Sequence, residues 1–206
     1  MLTVLGRSNS SNVQKVLWCL EELGVPYERE DIGGTFGGNR DADYLAMNPN
    51  GLIPTVLDEG HVLWESNTIL RYLAASYDTG ALWESDPGRR AEGEKWMDWQ
   101  LTVLRQPMSP LFKQLVRVQP GERDGGLIER SRQEAARAFT ILDGALASSP
   151  WLGGARFTVA DIPCGVLAYR WMNLPIERPA MPALEDWYGR LAERSAYRSQ
   201  VMVGME

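Results

Sequence analysis

Apolar residues recur along this chain in two rhythms. Leu2 to Leu5 is a short apolar run stopped by Gly6, as expected of a buried strand. After the polar stretch Arg7 to Ser11, Val13, Val16, Leu17, Leu20 and Leu23 recur at helical spacing and predict a helix over 12–23. A Ser or Asn can cap its start, and Gly24 stands where helices commonly end in a left-handed residue. Tyr27 to Ile32 predicts a second strand. Residues 33–51, rich in Gly, Asn and Asp, read as a loop with one helical turn around Asp43 to Met47. Ile53 to Leu57 predicts a strand, Asp58-Glu59-Gly60-His61 a hairpin turn, and Val62 to Trp64 the returning strand. Ile69, Leu70, Leu73 and Tyr77 share one face of a helix over 66–77.

Residues 78–90 shift to polar composition, with Gly80, Pro87, Gly88 and two adjacent arginines, and read as a linker. Beyond it strand signals vanish. Long helices are expected over 89–117 and 126–147, and shorter ones over 158–173 and 182–194. Strands first and helices afterwards imply two segregated domains, 1–79 of α/β type and 88–206 all-helical. The α/β part has the order β-α-β, loop, β-β-α.

The composition narrows the function classes. The chain has 206 residues, 44% of them hydrophobic, enough to bury one large core or two small ones. A net charge of −6 with no basic run argues against a nucleic-acid binder. Cys19 and Cys164 form no CxxC pair and read as small buried apolar residues in a reducing compartment. No basic segment followed by a long apolar stretch opens the chain, and no apolar run is long enough for a transmembrane helix, so the cytoplasm is the expected location and no membrane partner is expected. No metal, haem or nucleotide motif is visible.

Three segments carry more specific information. Arg7-Ser8-Asn9-Ser10-Ser11-Asn12-Val13-Gln14-Lys15-Val16 follows the first strand. Asn48-Pro49-Asn50-Gly51-Leu52-Ile53-Pro54-Thr55-Val56 precedes the third. Trp64-Glu65-Ser66-Asn67-Thr68-Ile69 opens the second long helix. Together they resemble the cytosolic glutathione S-transferase superfamily, among its members with serine or asparagine in the first loop (theta-, zeta- and nu-like). The resemblance implies a thioredoxin-like N-terminal domain and a helical-bundle C-terminal domain. It also implies glutathione as co-substrate, an apolar electrophilic small molecule as second substrate, and a homodimer serving detoxification.

The residues fit that chemistry. Proline is tolerated at a strand start because it donates no ladder hydrogen bond. In this family the proline equivalent to Pro54 is cis, and the resemblance implies that the Ile53 N–H and C=O grip the cysteinyl backbone of glutathione like an added strand. Ser66 reads as the N-cap of its helix. The N–H groups of a helix start suit the γ-glutamyl carboxylate, leaving Glu65 for the α-ammonium. A thiol attacks only as thiolate, so the site needs a hydrogen-bond donor aimed at sulfur rather than a base. Ser10 or Ser11 is favoured for that role, with Asn12 as a second donor; Lys15-Val16 matches the family's basic-then-apolar step on this helix. No Tyr or Cys lies in this loop, and the one histidine, His61, falls in a turn.

Leu52 departs from the family pattern, standing where many members place Lys or Gln on the glycine carboxylate of glutathione. Asn39 or Arg40 is the candidate substitute. Arg7, Tyr169 and Trp171 are candidates to line the second pocket, together with part of the helix bearing Trp96, Trp99, Met108, Phe112 and Leu115. Phe157-Thr158-Val159-Ala160-Asp161-Ile162 reads as a structural capping box with a staple. The expected activity is conjugation of glutathione to an electrophilic carbon. The alternatives are glutathione-dependent peroxide or disulfide reduction and a non-catalytic binding or regulatory protein of the same fold.

Overall fold

The computed structural model describes residues 1–205. β1 (Leu2–Leu5) leads through a short loop into α1 (Ser11–Leu23), which ends where Gly24 takes a left-handed φ of 66°. β2 (Tyr27–Glu30) returns parallel to β1, with Leu2 opposite Tyr27. After α2 (Ala42–Met47) comes an antiparallel hairpin of β3 (Thr55–Asp58) and β4 (His61–Trp64), then α3 (Ser66–Tyr77). The sheet order is β2-β1-β3-β4.

The differences from the sequence expectation are local. β3 begins at Thr55 rather than Ile53, because Pro54 has no N–H for the ladder. The Ile53–Pro54 bond is cis, as the resemblance implied. β2 stops at Glu30 rather than Ile32. Ser66 is not the N-cap of α3: Glu65 holds that position at φ 70°, and the Ser66 hydroxyl, buried, accepts a hydrogen bond from Lys15 Nζ at 3.3 Å.

Residues 87–117 form one long helical rod. It comprises α4 (Pro87–Trp99), a π-helical turn over Gln100–Leu104, α5 (Arg105–Phe112) and a second π-helical turn over Lys113–Arg117. Asp86 caps it by accepting from the Arg89 N–H at 2.8 Å, so residues read as linker form its first turn. α6 (Gly125–Leu146) is capped likewise by Asp124. α7 (Asp161–Asn173), α8 (Pro182–Ala192) and α9 (Ser195–Gln200) follow.

One hydrophobic cluster runs through sheet and helices alike. Trp18 of α1 is fully buried, stacked on Phe157 at 5.6 Å and tilted against Tyr197 at 4.7 Å. Trp171 stacks on Phe139 at 4.9 Å and is 1% exposed. It therefore belongs to the core, not to a pocket wall. The box before α7 is present in modified form. Asp161 Oδ2 accepts from the Thr158 N–H at 3.1 Å, while Thr158 Oγ1 accepts from the Ala160 N–H at 3.3 Å. Among the described residues no helix is long and apolar enough to cross a membrane.

Candidate functional site

The strand register brings the three motif segments to one end of the sheet. Leu5 pairs with Thr55, so the loop leaving β1 starts beside Pro54. Thr55 pairs with Trp64, so Ile53 and Pro54 run beside Glu65 and Ser66 across the hairpin. Segments far apart in sequence thus share one edge because the hairpin folds one motif back on another. Arg7, Ser10, Ser11, Asn12, Ile53, Pro54, Glu65 and Ser66 all come from this region.

Two helix N-termini open there. The first intrahelical bond of α1 runs from the Gln14 N–H to Ser10 O at 2.8 Å, which leaves the N–H groups of Ser11, Asn12 and Val13 without a helical partner. Ser10 is the N-cap, yet its side chain makes no capping bond. In α3 the Ile69 N–H bonds Glu65 O at 2.9 Å, leaving the N–H groups of Ser66, Asn67 and Thr68 in the same condition. Both ends carry the positive pole of the helix dipole and favour an anion.

Beneath α3 lies a buried cation that the sequence reading noted only as a family marker. Lys15 is fully buried, and its Nζ donates to Ser66 Oγ at 3.3 Å, Asn67 Oδ1 at 3.1 Å and Gln100 Oε1 at 2.9 Å. Burial, followed by the Arg105 charge, pulls its pKa down to about 7. The uninterrupted run Val16-Leu17-Trp18-Cys19-Leu20, hydrophobic on every side, was the available signal that α1 is buried all round and Lys15 with it.

The loop before β3 is braced rather than open. Tyr44 Oη and Asn48 Nδ2 donate to Leu52 O at 2.7 and 2.8 Å. Asn39 Nδ2 donates to Gly51 O at 2.7 Å, and Arg40 Nη1 to Asn50 O at 3.3 Å. Leu52 itself is 57% exposed.

On the other side of the Ser10 loop is a cleft of about 380 Å³ lined by Arg7, Asn9, Gly34, Thr35 and Arg117. Arg7 hydrogen-bonds Asn9 and packs so closely on Gly34 that a Cβ there would meet Arg7 Nε at 2.5 Å. Of the expected pocket residues, Met108 and Phe112 lie in the core, and the Tyr169 hydroxyl donates to Val203 O at 2.7 Å. Arg117 and Arg170 were not singled out in the sequence.

Other reactive groups lie elsewhere. Cys19 and Cys164 are buried, and burial pushes both thiols up, away from nucleophilic character. His61 begins β4 at the far end of the hairpin, edge-on to Tyr72 at 6.0 Å.

Comparison with known proteins identifies the family. Residues 9–76 match the model of the glutathione S-transferase N-terminal domain and residues 126–190 that of its C-terminal domain. The chain is 46% identical to glutathione S-transferase GstB of Escherichia coli (strain K12), over 98% of this chain and 99% of that protein. It is 30% identical to the disulfide-bond oxidoreductase YfcG of the same organism, over 90% and 87%. Among solved structures it is similar to the theta class glutathione S-transferase of Xanthomonas axonopodis pv. citri with glutathione bound, at a TM-score of 0.97 and 46% identity, covering 100% of this chain and 99% of that one. The chain belongs to the glutathione S-transferase family.

Proposed function

We propose that this protein is a glutathione transferase that joins the glutathione thiolate to an electrophilic carbon. Glutathione lies along the sheet end described above. Its γ-glutamyl carboxylate meets the unpaired N–H groups opening α3 at Ser66, with Glu65 beside the α-ammonium. The cysteinyl backbone pairs with Ile53 ahead of Pro54. The glycine carboxylate reaches Arg40, with Asn39 holding the loop, in place of the contact Leu52 cannot make. The sulfur faces the start of α1. There the Ser10 hydroxyl, which caps nothing, is the first donor, with Ser11 and Asn12 behind it. Donors and a helix dipole aimed at sulfur favour the thiolate, and holding it against a bound electrophile supplies proximity.

The observation that carries this reading is the convergence of two unpaired helix N-termini and the Ile53 backbone at one sheet end. The glutathione bound to the similar Xanthomonas structure supports it. In this reading residues 1–79 hold glutathione and residues 88–206 wall the electrophile. The exposed Val62 and Trp64 of β4 offer a face for a second copy in a homodimer, and the protein acts in the cytoplasm. A second reading, reduction of a disulfide through glutathione, is favoured by the likeness to YfcG. Mass spectrometry of the products formed from 1-chloro-2,4-dinitrobenzene, and separately from a small disulfide, decides between them. Transferase activity yields the dinitrophenyl conjugate; oxidised glutathione from the disulfide, without conjugate from the halide, would favour the reductase.

A further inference from the structure

We propose that Lys15 is a positioning residue for glutathione: its ammonium takes the Ser66 hydroxyl oxygen as an acceptor, which turns the hydroxyl hydrogen toward the γ-glutamyl carboxylate, and loss of the Lys15 proton turns that hydrogen away. The inference rests on the reading that places this carboxylate at the start of α3, and adds a proton-linked control of the same site.

An ammonium has three N–H groups, and Lys15 has three acceptors for them: Ser66 Oγ at 3.3 Å, Asn67 Oδ1 at 3.1 Å and Gln100 Oε1 at 2.9 Å. Among the described residues the Ser66 hydroxyl makes no other hydrogen bond. Its oxygen faces Lys15, so its own hydrogen is left to donate beside the free N–H groups of Ser66 and Asn67. A carboxylate there gains a third donor.

A neutral amine has two N–H groups and a lone pair, so one of the three partners must donate instead. Asn67 is held with its oxygen toward Lys15, because its Nδ2 donates to Met97 O at 2.6 Å. Gln100 is 1% exposed and has to flip its amide within the core. The Ser66 hydroxyl needs only one easy rotation, after which its hydrogen points at Lys15 Nζ. The carboxylate then loses that donor and faces a hydroxyl oxygen instead.

Lys15 changes state near neutrality. It is fully buried, and burial, followed by the Arg105 charge, brings it down to about 7. The groups acting on it are Arg105 of α5, Arg170 and Cys164 of α7, and Glu65 at the start of α3. The two arginines lower its pKa, while Cys164 and Glu65 raise it. An anion arriving at Ser66 acts in the raising direction, so ligand binding draws a proton onto Lys15.

The test is calorimetric titration with S-methyl glutathione from pH 6 to 8, in buffers of different ionisation enthalpy, on the wild type, Lys15→Met and Gln100→Glu. This ligand has no thiol proton, and any proton exchange at its α-ammonium is common to the three proteins. A tenfold preference for the protonated site, about the scale of one hydrogen bond to a charged group, raises the wild-type Kd about fivefold between pH 6 and 8, with proton uptake greatest at about pH 7.5. Lys15→Met has no proton to lose, and Gln100→Glu sets a carboxylate against Nζ that keeps the ammonium charged, so the rise is lost in both. A wild-type Kd that is flat over this range, without proton uptake, overturns the proposal. So does a wild-type rise retained in Lys15→Met or, should that variant not fold, in Gln100→Glu. Each of these leaves the glutathione site itself standing; no binding of S-methyl glutathione by the wild type at millimolar concentration overturns the reading beneath it.

Discussion

Lys15 of α1 reaches across to Gln100 of the long rod, Nζ to Oε1 at 2.9 Å, with Ser66 and Asn67 of α3 completing its partners. One buried lysine thus ties α1 to α3 and to the helical bundle. Burial, followed by the Arg105 charge, lowers the lysine's affinity for its proton.

The resulting pH dependence has a defined sign. The unfolded lysine titrates near 10.4 and the folded one near 7, so between these values the unfolded chain binds more protons. Stability therefore rises with pH above 7, by at most about 1.4 kcal/mol per pH unit from this group. Urea unfolding from pH 7 to 9.5 shows the rise in the wild type and a flatter profile in Lys15→Met.

Asp161 is the mirror case in the C-terminal part. It is fully buried and accepts from the Leu152 N–H at 2.9 Å, Trp187 Nε1 at 3.0 Å and the Thr158 N–H at 3.1 Å. Burial raises its pKa to about 6 despite those donors. With a raised folded pKa, its contribution to stability is fully present below pH 4 and lost as the pH rises to 6. Asp161→Ala leaves buried donors unpaired and costs about 3 kcal/mol or more, lowering Tm by roughly 6–12 °C in differential scanning calorimetry.

Glu65 occupies φ 70°, ψ 104°, a backbone region that disfavours residues with a Cβ. Glu65→Gly is expected to raise stability by about 1 kcal/mol while raising the KM for glutathione about tenfold. Opposite signs in the two measurements distinguish a residue retained for its ligand from one retained for the fold.

Ser10→Ala removes the hydroxyl nearest the proposed sulfur position without removing a helix cap, since that side chain caps nothing. A donor to a charged acceptor contributes about 1.5–3 kcal/mol, so kcat/KM falls roughly ten- to hundredfold with Tm little changed. Ser11→Ala has the smaller effect.

Much of this was legible in the residues. Ile69, Leu70, Leu73 and Tyr77 placed α3 over the span it occupies, and Gly24 marked the end of α1. The motif segments were recognisable because their chemistry is local: a proline before a strand, a Glu-Ser pair before a helix. What was not legible depends on distant partners. Lys15 reads only as the basic step on α1, and its burial depends on α3 and the rod closing over it. Trp171 reads as a pocket aromatic until Phe139 stacks on it. The arginine cleft draws on loop, turn and rod, and no short window contains all three. α9 was missed because Ser195–Gln200 is mostly polar, and only Ala196 and Tyr197, the latter buried against Trp18, signal that it packs.

In the proposed function this site binds glutathione and favours its thiolate. Calorimetric titration with glutathione beside S-methyl glutathione, from pH 6 to 9 in buffers of different ionisation enthalpy, tests it most directly. Both are expected to bind, and glutathione alone to release a proton from its thiol near neutrality; subtracting the S-methyl titration removes any proton exchange at Lys15. Equal proton release by the two ligands, or no binding of either at millimolar concentration, would contradict it.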